Sequence, residues 1–451
     1  MKSYMKLNRS IAFLNSIDDV WERQIPEEVT DRAKRSLLDY LAVTNAGAAF
    51  QKEKTEKYLA FAQPEAGRFR AIGMGRDLAL KEAVFLNGLN AHALDYDDGT
   101  NSGIIHLGSP IYSLLLPLAQ RYGASINEVL RAAILGYEAS QTLATSIQPG
   151  HKALGYHATG TCGTIGATLA ASYLLGFTEK ERFQAFGAAC VAASGTLKVL
   201  DGESELKPYN VAKTALLALT ALQMGKAGFQ GHEDPLGGRG FLKMMTGRED
   251  IELRPVLEDG TYAICKAYVK PYASCRYTHP SVEAAIRMRS EAAPEEIREI
   301  LVRTYDLAVF GHDHVKITGS YGAKMSIPYA TAAGLTWGKA GLREFEEEAL
   351  GNATVRALTE KVRVVADEEL SRDFPKKQGA IVEIMMKSGD KKCCRVDFPK
   401  GEPENPLTSE EFRERYDALM EYGGTGPEKS AGVYEMVLEG RGIVDELVKM
   451  P

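Results

Sequence analysis

The feature that most constrains the fold is a change of hydrophobic period near residue 255 that reverses near residue 405. Before it, apolar residues recur at helical spacing. EEVTDRAKRSLLDYLAVTNAGAAF carries Val29, Ala33, Leu37, Leu38 and Leu41 close to one helix face. Segments 80–94, 109–122, 126–148 and 160–175 read the same way. Thr178 and Glu181 form a capping box that opens a helix to about Ser194, and a further helix is predicted from about Tyr209 to Lys226. The small residues of ATGTCGTIGATLAAS suit helices that pack closely inside a bundle. Past 255 the pattern alternates: TYAICKAYVK, EILVRTYDLAV, KVRVVAD, AIVEIMMKSG and KCCRVDF read as strands, with helices at SVEAAIRMRSEA and from Ile327 to Gly338. PLTSEEFRERYDALMEY returns to helix with a second capping box, Thr408 and Glu411, and a last helix is predicted near 430–448. The expected fold is mainly α. A large all-helical bundle domain, 1–255 completed by 405–451, carries an inserted smaller α+β lid domain, 256–404.

Composition removes several classes of function. The 451 residues are 45% hydrophobic and 25% charged, with a net charge of −6 and no long basic run, so no nucleic-acid partner is expected. No apolar run approaches the ~20 residues of a membrane span. MKSYMKLNRSIAFLNSI lacks the apolar core of a signal peptide. Six scattered cysteines without a CxxC pair fit a reduced, cytoplasmic protein, and adjacent Cys393 and Cys394 should face opposite sides of a strand.

Chemistry-bearing residues concentrate in NGLNAHALDYDDGTNSGIIHLGSP, where His92 and His106 flank Asp95, Asp97 and Asp98. Two chemical readings compete with a structural one, in which the aspartates cap GTNSG or pair with a nearby arginine. His92 and Asp95 at i and i+3 could share a helix face and begin a divalent-metal site; alternatively the cluster moves protons and positions substrate. No HExxH motif supports the first. His157, in GYHATGT, stands at a helix start that attracts anions. Lys207 precedes a helix, and Lys270 lies at a strand end near His279, suited to a carboxylate. Lys316 and Lys324 read as solvated surface lysines. GGRG at 237–240 has neither P-loop nor dinucleotide spacing and reads as a tight loop, with Arg239 a candidate anion contact.

Taken in order, LNGLNAHALDYDD, HLGSPIYSLLLPLA, GYHATGTCGTIGATLAASYLLG, LKPYNVAKTALLALTALQMGKAGFQG, GGRGF, KPYASCRYTHPSVEAA and MSIPYATAAGL resemble the MmgE/PrpD proteins. That family includes 2-methylcitrate dehydratase, cis-aconitate decarboxylase and iminodisuccinate epimerase. The resemblance implies a helical domain with an inserted lid, a homodimer, an active site between the domains, and no metal or organic cofactor. It implies catalytic roles for Asp95, His106, His157, Lys207 and Tyr329. Substrate contacts are expected from Lys270 and His279, which match the family's lysine motif, and from Thr100, Cys275 and Arg276 beside the matching motifs. Cys275 stands where the decarboxylase branch carries a histidine five positions after the motif lysine. Gly99 separates the LDYDD motif from Thr100, and Lys207, Asn210 and Ala212 depart from K-x-x-H-x-G.

The reaction type implied is proton transfer at a carbon next to a carboxylate of a small di- or tricarboxylate. Dehydration of a 2-methylcitrate-like hydroxy acid is the expectation, with epimerisation of iminodisuccinate or decarboxylation of cis-aconitate as alternatives on the same residues. A metal-dependent hydrolase built on the His/Asp cluster, or a non-catalytic helical scaffold, are the readings from other classes.

Overall fold

A computed structural model describes residues 8–200 and 204–449; the first seven residues of the N-terminal stretch lie outside them. The chain is mainly α-helical, with a two-stranded and a four-stranded sheet. The predicted helices of the first half form at Glu27–Phe50, Leu80–Ala91, Gly108–Tyr122, Ile126–Ile147, Ala158–Leu174, Glu179–Ala192 and Lys207–Lys226. Both predicted capping boxes form, at Thr178 with Glu181 and at Thr408 with Glu411.

The small residues have a measurable reason. A Cβ placed on Gly166 would stand 1.8 Å from Ser140 Oγ, so helices Ala158–Leu174 and Ile126–Ile147 meet almost backbone to backbone. A Cβ on Gly88 would likewise stand 2.9 Å from Ala212 Cα, where Leu80–Ala91 crosses Lys207–Lys226.

An antiparallel hairpin of β1 (Ala66–Ala71) and β2 (Arg76–Leu78) sits between two helices, unforeseen because its strands are short and largely exposed. The larger sheet contains β3 (Ile297–Thr304), β4 (Val362–Ala366), β5 (Ala380–Met386) and β6 (Lys391–Val396) in the order β4–β3–β5–β6, with only β3 and β4 parallel. Helices His279–Met288 and Ile327–Trp337 pack against it. Cys393 is exposed and Cys394 is half-buried, as opposite faces of β6 require.

TYAICKAYVK is not a strand. Its alternation reflects Tyr262, Ala263, Ile264, Ala267 and Val269 entering the core around a 3₁₀ turn at Ala263–Lys266. Its backbone bonds to scattered partners instead of a ladder: Tyr268 N–H donates to Gly99 O at 2.8 Å and Val269 N–H to Gly401 O at 2.9 Å. The single helix predicted near 430–448 is two, Pro427–Glu439 and Val444–Val448, parted at Gly440, whose φ is +64°. Helix Ser409–Tyr422 returns to the first half of the chain. Arg415 is buried there, pairs with Asp39, and donates to Tyr96 O at 2.8 Å and Lys270 O at 2.6 Å.

Candidate active site

Helix Leu80–Ala91 ends at His92, and the chain then turns through Asp95, which adopts a left-handed φ of +50°. A non-glycine residue there is strained and must be held by its surroundings. Two lysines hold it. Lys270 Nζ donates to Asp95 O at 2.6 Å and to Oδ1 at 2.8 Å. Lys207 Nζ pairs with Oδ2 at 2.8 Å. Burial is the largest influence on this carboxyl and would raise its pKa; Lys207 and Lys270 outweigh it and keep the group well below the usual carboxylate range.

Asp97 bridges two elements. Its Oδ1 is 2.8 Å from His92 Nδ1, and its Oδ2 accepts from Ser109 Oγ at 2.6 Å. Asp98 accepts from Gly108 N–H at 2.9 Å and from Tyr137 OH at 2.5 Å. Burial pushes Asp98 up to about 7, against those two bonds. His106 Nδ1 lies 2.8 Å from the carbonyl oxygen of Asp98, which can only accept. The hydrogen is therefore on Nδ1, and Nε2 carries a lone pair. Burial lowers His106 to about 3 despite nearby Asp97, leaving the ring neutral at pH 7. His157 occupies the N-cap position of helix Ala158–Leu174 without a capping bond from its side chain. Its Nδ1 is buried without a hydrogen-bond partner, and burial followed by His106, His92 and Lys207 holds its pKa well below the usual imidazole range. The His106 ring centre lies 4.5 Å from that of His92 and 6.4 Å from that of His157.

A cavity opens beside these residues. Asp95, Thr100, His106, His157, Lys207, Lys270, Cys275 and Arg276 line it, eight of the ten site residues expected from sequence. Thr100 donates to Gln141 Oε1 at 2.5 Å, and Arg276 pairs with Glu402 while its Nη1 stays buried and unpartnered. Tyr329 and His279 do not line the cavity. Tyr329 is buried with its hydroxyl donating to Glu344 O at 2.8 Å, and His279 Nε2 donates to Ser274 O at 3.2 Å, bracing the loop that carries Cys275. Arg239 lines a separate groove together with Phe229 and Met244.

Sequence reading missed several wall residues. Lys152 reaches the cavity from the turn before His157, donates to Tyr277 OH, and lies 4.2 Å from the Tyr277 ring centre; burial lowers it to about 8. Tyr268, His312 and Gln378 also line it. No local pattern marks these positions, because each arrives from a different part of the chain. Lys324, read as a surface lysine, is 2% exposed, with Nζ unpartnered and 4.3 Å from the Phe50 ring centre. The helix Ser320–Met325 that carries it turns it inward, and burial lowers it to about 7.

The metal reading can be tested on the same geometry. His92, Asp95, Asp97 and His106 each offer a ligand atom, all within 4.8 Å of one another. Asp95, however, already neutralises two ammonium groups, and His92 Nδ1 is bonded to Asp97. A divalent cation placed among them would face Lys207 and Lys270 at short range, so the donor set does not fit a resident metal.

Residues 14–254 match the MmgE/PrpD N-terminal domain and residues 272–439 the MmgE/PrpD C-terminal domain. Similar curated proteins include the cis-aconitate decarboxylase-like protein oryM of Aspergillus oryzae, 26% identical over 91% of this chain and 90% of that one. The cis-aconitate decarboxylase of Aspergillus terreus is 26% identical over 88% of this chain and 86% of its own. That of Mus musculus is 23% identical over 90% and 86%. Two matching domains that together span most of the sequence, in the order the motifs run, identify the chain as a member of the MmgE/PrpD family.

Proposed function

We propose that this protein is a lyase that forms a carbanion next to a carboxylate of a small di- or tricarboxylic acid. The reaction assigned is dehydration of a hydroxy acid of the 2-methylcitrate type. One observation carries the reading: His106 has its Nδ1 hydrogen engaged by Asp98 O, so a neutral Nε2 lone pair belongs to a wall of the cavity that Lys207 also lines. A general base needs that tautomer. Substrate carboxylates would be drawn to Lys207, to Arg276 and to the N-terminus of helix Ala158–Leu174, which meets the cavity at His157 and Ala158. The same cations stabilise the enolate-like charge as it develops. Asp95 pairs with both lysines and positions them. The scheme uses no metal and no organic cofactor.

Decarboxylation is a second reading, favoured by the relatives named cis-aconitate decarboxylases. It would use the same cations, with loss of carbon dioxide in place of proton removal. NMR of the chelator-treated protein in deuterated water with 2-methylcitrate, citrate, cis-aconitate and iminodisuccinate separates these. An alkene formed from a hydroxy acid supports dehydration. Carbon dioxide release from cis-aconitate replaces it with decarboxylation, and deuterium entering iminodisuccinate without elimination replaces it with epimerisation. Inactivity on all four refutes the reading.

We also propose the division into a bundle, 1–255 with 405–451, and a lid, 256–404, with the cavity lined from both. A homodimer is part of the proposal, supported by the apolar groove where Val191, Phe229 and Met244 are exposed. Sedimentation at a monomer mass would refute it. Among the described residues no helix is long and apolar enough to cross a membrane.

A further inference from the structure

A dehydration needs two proton-transfer groups, one to take the carbon-bound proton and one to protonate the departing hydroxyl. His106 supplies the first; Tyr329 is outside the cavity lining, with its hydroxyl donating to Glu344 O, and Asp95 is paired with two lysines. A different pair stands in the cavity wall. Cys275 Sγ lies 3.4 Å from His312 Nε2. His312 Nδ1 lies 2.9 Å from Phe310 O, a pure acceptor, so Nδ1 carries a hydrogen and Nε2 faces the sulfur, where one proton can rest on either atom, as thiol with imidazole or thiolate with imidazolium. The cysteine is anchored on both sides, its N–H donating to Lys324 O at 2.9 Å and its carbonyl accepting from Thr278 N–H at 2.9 Å. The Tyr277 ring packs edge-on to His312, with centres 5.2 Å apart, fixing the imidazole plane. Cys275, His312, Tyr277 and Lys207 all line the cavity. Burial alone would raise the thiol; His312, and then Lys207, reverse this and bring it to about 6.

Resting on the function proposed above, we infer that Cys275 and His312 form a pair holding one transferable proton, and that this pair is the second acid/base group of the reaction. The balance is simple. His106 Nε2 takes the proton from the carbon next to the carboxylate, and the C–H electron pair becomes the new C=C bond. The pair gives its proton through Sγ to the β-hydroxyl, which departs as water with the C–O electron pair. This leaves a thiolate beside the Lys207 ammonium and an imidazolium at His106. Proton return from His106 to Cys275 through solvent restores the resting state. Cys275 is thus a catalytic residue and His312 a positioning one.

The test is the rate at which iodoacetamide alkylates each cysteine at pH 7, read by peptide mass spectrometry, in the wild type and in His312→Gln. Glutamine can keep a hydrogen bond to sulfur and cannot carry the proton. The expected result is that Cys275, although buried, reacts faster than exposed Cys393, slows about tenfold in H312Q, and is protected by the saturated tricarboxylate tricarballylate. Turnover of Cys275→Ser should fall about a hundredfold, the scale of a lost general acid, with tricarballylate affinity unchanged. Alkylation of Cys275 no faster than Cys393, no effect of H312Q, no protection by tricarballylate, or near wild-type turnover of Cys275→Ala would each overturn the inference. Alkylation needs no turnover, so a wild type inactive on all four acids refutes the proposed function, whereas slow alkylation refutes the pair.

Discussion

Replacing Lys270 by methionine isolates what the two-lysine clamp contributes. Methionine fills the volume of the aliphatic stem, so the change is chiefly electrostatic. Lys270 is 1% exposed, and its removal leaves Asp95 Oδ1 and the Asp95 carbonyl without their donor. Breaking a buried pair by deleting one partner costs about 3–5 kcal/mol. The pH dependence gives a sharper signature. In the wild type the Asp95 pKa lies below its unfolded value, so its stabilisation is present above that value and is lost as pH falls through the folded pKa. In Lys270→Met, burial is opposed chiefly by Lys207, with His92 and His106 behind it, and the folded pKa rises. The deficit of the variant should therefore be largest at neutral pH and shrink as acid protonates Asp95. Adding Asp95→Asn should recover at least about 1 kcal/mol, since Lys207 is near enough to the cavity to be hydrated. Urea unfolding followed by the fluorescence of Trp21 and Trp337 at pH 7, 5.5 and 4 measures all three proteins. A loss below about 1 kcal/mol, the range of an exposed pair, or a deficit that does not vary with pH, would refute the reasoning.

His106→Asn should lower kcat by about 10²- to 10⁴-fold with unchanged circular dichroism, and retained turnover would remove His106 as the base. His157→Ala should abolish turnover of a polycarboxylate without unfolding the protein; activity within a few-fold of wild type would remove it from the chemistry. Lys324, lowered by burial from 10.5 to about 7, makes the folded state bind fewer protons than the unfolded one between those values. Wild-type stability should therefore rise with pH over that window, and Lys324→Met should be flatter and more stable at pH 7; parallel curves would show that the ammonium is hydrated. Dialysis against a chelator should leave activity intact, because the carboxylate at the centre of the His/Asp cluster is committed to two lysines, and loss restored by a divalent ion would revive the hydrolase reading.

The sequence by itself determined the elements wherever one face repeats against one core. Helix periods, both capping boxes and four strands of the larger sheet were legible because periodicity and caps are local properties. It also marked eight residues of the cavity wall, since Asp95, His106, His157, Lys207 and Lys270 lie in motifs. Tertiary structure decided the rest. TYAICKAYVK alternates like a strand but feeds its side chains into a core with no neighbouring strand to pair. Lys324 looks solvated until its short helix turns it against Phe50, and Tyr329 stands in a motif while its hydroxyl is bonded to Glu344 O. His312 was a visible histidine without a visible partner. Only the fold brings it to Cys275, because a contact across 37 residues leaves no period, cap or spacing for a sequence to show.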